Sequence, residues 1–113
     1  MRSAIQEADQ TFTPSIVLAE VAGASHRSGI RDEVVMQQLI AIRESSTIVR
    51  IDPEVAVKAT HVLDELRSDA RKRKISVPGL ADALILATAR NRRARLLTED
   101  PHFQGLPETI WIR

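Results

Sequence analysis

The stretch ARLLTEDPHF, residues 94–103, runs from basic to apolar to acidic and then stops at a proline. Leu96 and Leu97 read as a short buried strand. Thr98, Glu99 and Asp100 follow together, and Pro101 ends the pattern. An aspartate before proline is ordinary turn chemistry, so a plain loop is one reading. The other puts these groups at the carboxyl edge of a sheet, where open α/β folds carry their sites. The flanking segments decide between the two.

Immediately upstream, ISVPGLADALILATA (75–89) has the composition of a buried helix, opened by Pro78 and running to about Arg93. Its only charge is Asp82. Further back, TFTPSIVLAEVAGAS (11–25) is a short β-rich segment that leads at Pro14 into a helix through about Arg27, and its only charge is Glu20. Between these lie RDEVVMQQLIAIRE, with Val35, Met36, Leu39, Ile40 and Ile42 at helical spacing, and the alternating strand TIVRI at 47–51. Asp52-Pro53-Glu54 is a strong helix start. The stripe Val55, Ala59, Val62, Leu63, Leu66 and Ala70 follows, then RKRKIS as a solvated link. Downstream, HFQGLPE reads as a loop and TIWIR as a last short strand. Residues 2–10 read as the tail of a helix. Strands alternating with helices imply a parallel sheet with right-handed crossovers, in one α/β domain over residues 1–113.

Composition narrows the function. The 113 residues suffice for one core, and 43% hydrophobic with 27% charged residues places the chain among globular rather than disordered sequences. The absence of cysteine excludes a disulfide framework, a thiolate metal site and a thiol nucleophile. No apolar run is long enough to span a bilayer, and MRSAIQEADQ lacks a signal-peptide core, so the expected location is the cytoplasm. A net charge of +1 gives no overall basic field. Yet eight of the sixteen basic residues fall in two clusters, Arg71 to Lys74 and Arg90, Arg92, Arg93 and Arg95.

A carboxylate amid apolar surface is costly unless paired, hydrogen-bonded or bound to a metal. Asp82 is also explained by its place in the first turn of a helix, where the macrodipole favours negative charge. Glu20 lies deeper, and its plain explanation is a buried ion pair with an arginine. Helices that follow parallel strands begin at the carboxyl edge, so Glu20, Asp82 and Asp100 can meet there. Carboxylates brought together need a cation or a shared proton. Oxygen ligands without cysteine select Mg²⁺ or Mn²⁺. His26, His61 and His102 have no zinc spacing and read as surface residues. His102, two residues past Asp100, is also within reach of a substrate.

The segments TPSIVLAEV, LADALILATA and LLTEDPHFQGL together resemble PIN-domain nucleases, particularly the small ribonuclease toxins of bacterial and archaeal toxin–antitoxin pairs. The resemblance runs from about Thr11 to Arg113. It implies a PIN-like three-layer sandwich, with a parallel sheet in the order 3-2-1-4-5 flanked by helices. The family's acidic residues fall on Glu20, Asp82 and Asp100, as catalytic and metal-holding groups, with Thr98 as the supporting hydroxyl. Glu99 is expected to point away. The family also begins with a strand that carries a further aspartate, and no such segment is found here. The central first strand is therefore expected to be missing, by truncation, by a misassigned start or because another chain supplies it. That would leave the strands at 11–17 and 95–98 flanking a gap.

By the same resemblance the chain is expected to be a Mg²⁺- or Mn²⁺-dependent endoribonuclease that cleaves single-stranded RNA to a 5′-phosphate and a 3′-hydroxyl. Arg90, Arg92, Arg93 and Arg95 would contact phosphates, although cations at a helix end also suit the dipole. Arg71 to Lys74 read as a solvated loop. Phe12, Phe103 and Trp111 are the only aromatics and make no stacking platform. An antitoxin protein and a second copy of the chain are the expected partners. One rival is a non-catalytic PIN remnant that serves only as an interaction module. A more distant one is a receiver-like signalling domain, which would need its aspartate on a central strand; Asp100 comes too near the chain end.

Overall fold

A computed structural model describes residues 4–7, 10–98 and 100–111. In chain order the elements are β1 (Ala4–Glu7), β2 (Gln10–Pro14), α1 (Ser15–Arg27), α2 (Asp32–Ser45), β3 (Thr47–Val49), α3 (Pro53–Arg73), α4 (Leu80–Asn91), β4 (Arg95–Thr98), a 3-10 turn (Pro101–Phe103) and β5 (Thr109–Trp111). Local chemistry sets several boundaries. Pro14 closes β2 and stands at the N-cap of α1. The Asp52 side chain accepts the Val55 N–H at 2.8 Å, with Pro53 at the first helical position. Arg71 to Arg73, expected in a link, are helical instead. Basic side chains suit the last turn, and α3 ends at Lys74 in the left-handed region, φ 56°.

The described strands form one sheet in the order β3-β2-β1-β4-β5. Among the described residues of the expected helix tail at 2–10, none is helical. Residues 4–7 are a strand, and they occupy the central position that was expected to be missing. β1 pairs antiparallel with both β2 and β4, while β3 joins β2 and β5 joins β4 in parallel. The α/β sandwich is as expected, but its sheet is mixed rather than wholly parallel. The physical reason is that β2 and β4 with nothing between them would each present a row of unpaired N–H and C=O groups. The segment next to β2 in the chain satisfies both rows at once, and such close neighbours pair antiparallel.

Ile5 sits opposite Phe12 on one side and Leu96 on the other. All three are buried, Ile5 and Leu96 at 0% exposure, and they continue into a core with Val55, Ala59, Val62 and Leu66 of α3 and the Ala83–Ala89 face of α4. α3 and α4 lie antiparallel: Lys58 Nζ donates to Asn91 Oδ1 at 3.3 Å, and Arg67 Nε donates to the Pro78 carbonyl at 3.5 Å. Successive strand residues face opposite ways. Thr13, next to Phe12, accordingly meets the end of α2, with its hydroxyl 2.7 Å from that of Ser46.

Because β1 is antiparallel to both neighbours, β2 and β4 point the same way. Their carboxyl ends share one edge. α1 starts there, and α4 starts there too, since it leads by a short turn into the opposite end of β4.

Candidate active site

Asp100 is held by the turn that follows β4. The buried Thr98 hydroxyl accepts the Asp100 N–H at 3.0 Å, and Asp100 Oδ1 accepts the His102 N–H at 3.0 Å. Phe103, fully buried, anchors the turn. The two readings are therefore both met: Asp100 heads a turn, and that turn sits at the carboxyl edge. Glu99 lies outside the described residues. His102 faces Asp100 Oδ1 through Nδ1 at 2.9 Å and the Ser76 carbonyl through Nε2 at 2.7 Å. Arg73 donates to the Pro101 carbonyl. These contacts tie the end of α3 and the link beyond it to the turn.

Asp82 is the third residue of α4, and its Oδ2 accepts the Gly79 N–H at 3.0 Å. The helix-start reading of Asp82 thus describes part of what it does. The other part is its position. The nearest ligand atoms of Asp82, Asp100 and His102 lie within 4.8 Å of one another. Burial, the largest influence, pushes the Asp82 carboxyl up from its ordinary value. The Gly79 N–H pulls it back, Asp100 adds to the rise, and His102 opposes it.

A cavity of about 190 Å³ opens beside this pair, lined by Val17, Glu20, Ala24, Arg27, Asp82, Ile85 and Asp100. All three carboxylates singled out in the sequence thus border one space. Glu20 comes from the facing helix, α1, and is exposed rather than buried. Exposed and lining the cavity, it stands at the pocket mouth, where Gly23 and Ala24, next on its face of α1, add little bulk. Among the described residues no ion pair engages it. The cavity also holds a residue the sequence reading missed, Arg27. It lies seven positions after Glu20 with Ala24 between, one helical stripe, and that spacing was the available signal.

The arginine cluster lies elsewhere. α4 carries the chain away from the carboxyl edge, so Arg90, Arg92, Arg93 and Arg95 gather at the opposite end of β4. Arg90 is engaged structurally: it donates to both Glu65 oxygens at 2.8 and 2.9 Å and to Glu108 Oε1 at 2.9 Å. These bonds raise the Arg90 pKa, and the one to Glu65 holds that carboxyl below its ordinary value. The Arg92 guanidinium lies 4.1 Å from the centre of the Phe12 ring. Arg93 and Arg95 are exposed.

The raised Asp82 value has a consequence for stability. A carboxyl whose folded pKa lies above its unfolded one holds its proton more tightly when folded. Ionising it therefore costs stability as pH rises through the folded pKa, and the cost remains above it. Asparagine keeps an acceptor for the Gly79 N–H and removes the charge. In a metal chelator, Asp82→Asn is expected to raise the thermal midpoint at neutral pH, by less than about 1 kcal/mol because solvent screens a half-buried pair. The gain should vanish at pH values below the ordinary carboxylate range. A midpoint that falls at neutral pH would contradict this account.

The PIN domain family model matches residues 1–108 of this chain. No curated protein and no solved structure matches it.

Proposed function

Because the chain belongs to the PIN-domain family, whose members are generally nucleases that act on RNA and usually use divalent metals, we propose that it is a Mg²⁺- or Mn²⁺-dependent endoribonuclease. Its substrate in this reading is single-stranded RNA. Its setting is the cytoplasm, as the toxin of a toxin–antitoxin pair, with an antitoxin protein and a second copy of the chain as partners. The observation that carries the reading is that Glu20, Asp82 and Asp100 line one cavity at the carboxyl edge, with Asp82 and Asp100 close enough to share a ligand.

The donor set fits a hard cation. The carboxylates offer oxygen, with a His102 nitrogen beside them, and the Asp82 carboxyl, pushed up by burial and in smaller part by Asp100, would be relieved by an added positive charge. Asp82 and Asp100 would hold the ion, and Glu20 would face it from α1. A divalent ion bound there would polarise the phosphodiester and lower the pKa of a coordinated water. The chain's own groups do the rest. Thr98 fixes the backbone of Asp100, the Gly79 N–H fixes Asp82, and His102 holds Asp100 Oδ1 in place. Glu20, exposed at the mouth, accepts a proton from the attacking water. The water oxygen bonds to phosphorus as the P–O3′ bond breaks, and the departing 3′ oxygen takes a proton from solvent water, which leaves the 5′-phosphate and 3′-hydroxyl ends.

One observation favours a second reading, an interaction module without catalysis. Among the described residues, β1 contributes Ala4 at the carboxyl edge, opposite Leu97, a side chain without a ligand atom. One experiment separates the two. The purified chain is given labelled single-stranded RNA with Mn²⁺, then excess chelator. Cleavage that starts with Mn²⁺ and stops with chelator is expected. No cleavage, together with no rise in thermal midpoint on adding Mn²⁺, would leave the interaction module as the better account.

A further inference from the structure

We propose that Arg27 is a substrate-binding residue, the clamp for an RNA phosphate beside the carboxylate pair; the inference rests on the nuclease reading. Among the described residues lining the cavity, Arg27 alone is basic. It ends α1 on the same stripe as Glu20 and Ala24, so its guanidinium and the three carboxylates border one space. Among the described residues no ion pair engages it, although Glu20, Asp82 and Asp100 all line the same cavity. A helix-end cation that only complemented the dipole would not need to line a cavity. The guanidinium lies back along α1: a Cβ on Gly23 would stand 3.3 Å from Arg27 Nη1. Gly23 leaves room for that placement.

Charge balance gives this residue its role. Three carboxylates with one divalent ion leave the cavity about one unit negative, and an entering phosphodiester adds about one more. A cation fixed in the same cavity offsets that repulsion. Arginine suits the task because it stays charged and presents a planar fork that matches two phosphate oxygens. The cluster Arg90, Arg92, Arg93 and Arg95, at the far end of β4, cannot serve the same phosphate, and Arg73, beside the Asp100 turn, is held by Asp69 and the Pro101 carbonyl.

The test is equilibrium binding of a fluorescein-labelled, mixed-sequence single-stranded RNA in Ca²⁺, read by anisotropy across a salt series, with Mn²⁺ binding measured separately by calorimetry. Arg27→Ala is expected to weaken RNA binding about tenfold and to make the salt dependence shallower by about 0.7, one phosphate contact on a single strand. Arg27→Lys should restore the salt slope but not the full affinity, and Mn²⁺ binding should persist in both variants. Wild-type affinity and slope in Arg27→Ala, from a chain that still cleaves RNA, would overturn the clamp and leave the nuclease reading intact. Loss of Mn²⁺ binding in both variants would also overturn it, since Arg27 would then support the carboxylates and not the RNA. A wild-type chain that neither binds this RNA in Ca²⁺ nor cleaves it in Mn²⁺ would overturn both.

Discussion

Replacing Asp100 by asparagine is expected to lower Mn²⁺-dependent RNA cleavage by about a hundredfold or more. A metal at such a site supplies several kcal/mol of transition-state stabilisation, and about 1.4 kcal/mol corresponds to tenfold in rate. Asp100 is the better choice for this test than its neighbours because the substitution leaves the turn intact. An asparagine oxygen can still accept the His102 N–H, which Asp100 Oδ1 now accepts at 3.0 Å. The bond from the residue 100 N–H to Thr98 Oγ1 comes from the backbone and is untouched. What changes is the charge shared with Asp82, whose carboxyl is pushed upward in part by Asp100. The measurement is initial cleavage rate at saturating Mn²⁺, with circular dichroism to establish that the variant is folded. A folded Asp100→Asn chain that cleaves at the wild-type rate would remove Asp100 from the site and with it the central pair of the proposed metal centre.

Ile5→Ala is expected to cost about 2–5 kcal/mol, the range for removing a fully buried aliphatic side chain and leaving a cavity. Against a total stability of about 5–15 kcal/mol, that is a large share. Ile5 is fully buried in the middle strand, between Phe12 and Leu96. Its loss would weaken the contacts that hold β1 between β2 and β4. Freed of β1, those strands would expose backbone edges prone to pairing with other chains. Urea denaturation should therefore show a lower midpoint, and sedimentation should show more self-association as the variant loosens. Near-wild-type stability with no change in assembly would mean that residues 4–7 do not form the central strand in solution.

The sequence expectation of a gap between β2 and β4, to be closed by another chain or left as a weakness, is replaced by this strand. The physical ground for expecting a borrowed strand is thereby removed. A dimer, if one forms, must rest on other surfaces.

How far the chain could be read in advance follows from where the signals lie. Glu20 and Asp82 were legible because each is the lone charge in an apolar helix, and Asp100 because it closes a short apolar strand. Such contrasts are local, and the alternation of strands and helices fixes which sheet edge each element meets. The Asp52 cap and the start of α3 were legible for the same reason. Four features were not. Ala4–Glu7 has the bare sequence AIQE, which carries neither a strong period nor a cap, and its state is set by the unpaired backbone of β2 and β4 on either side. Glu20 lies exposed at a pocket mouth rather than in a buried ion pair, because α1 and α4 meet there only in the assembled fold. Arg27 enters the cavity through the stripe it shares with Glu20. Arg90 is drawn from a basic run into a pair of carboxylates, Glu65 and Glu108, distant in sequence. Local composition determines which groups need a partner, whereas the partner is found only when the fold brings distant segments together, because burial and charge compensation are properties of the assembled neighbourhood and not of any one stretch of chain.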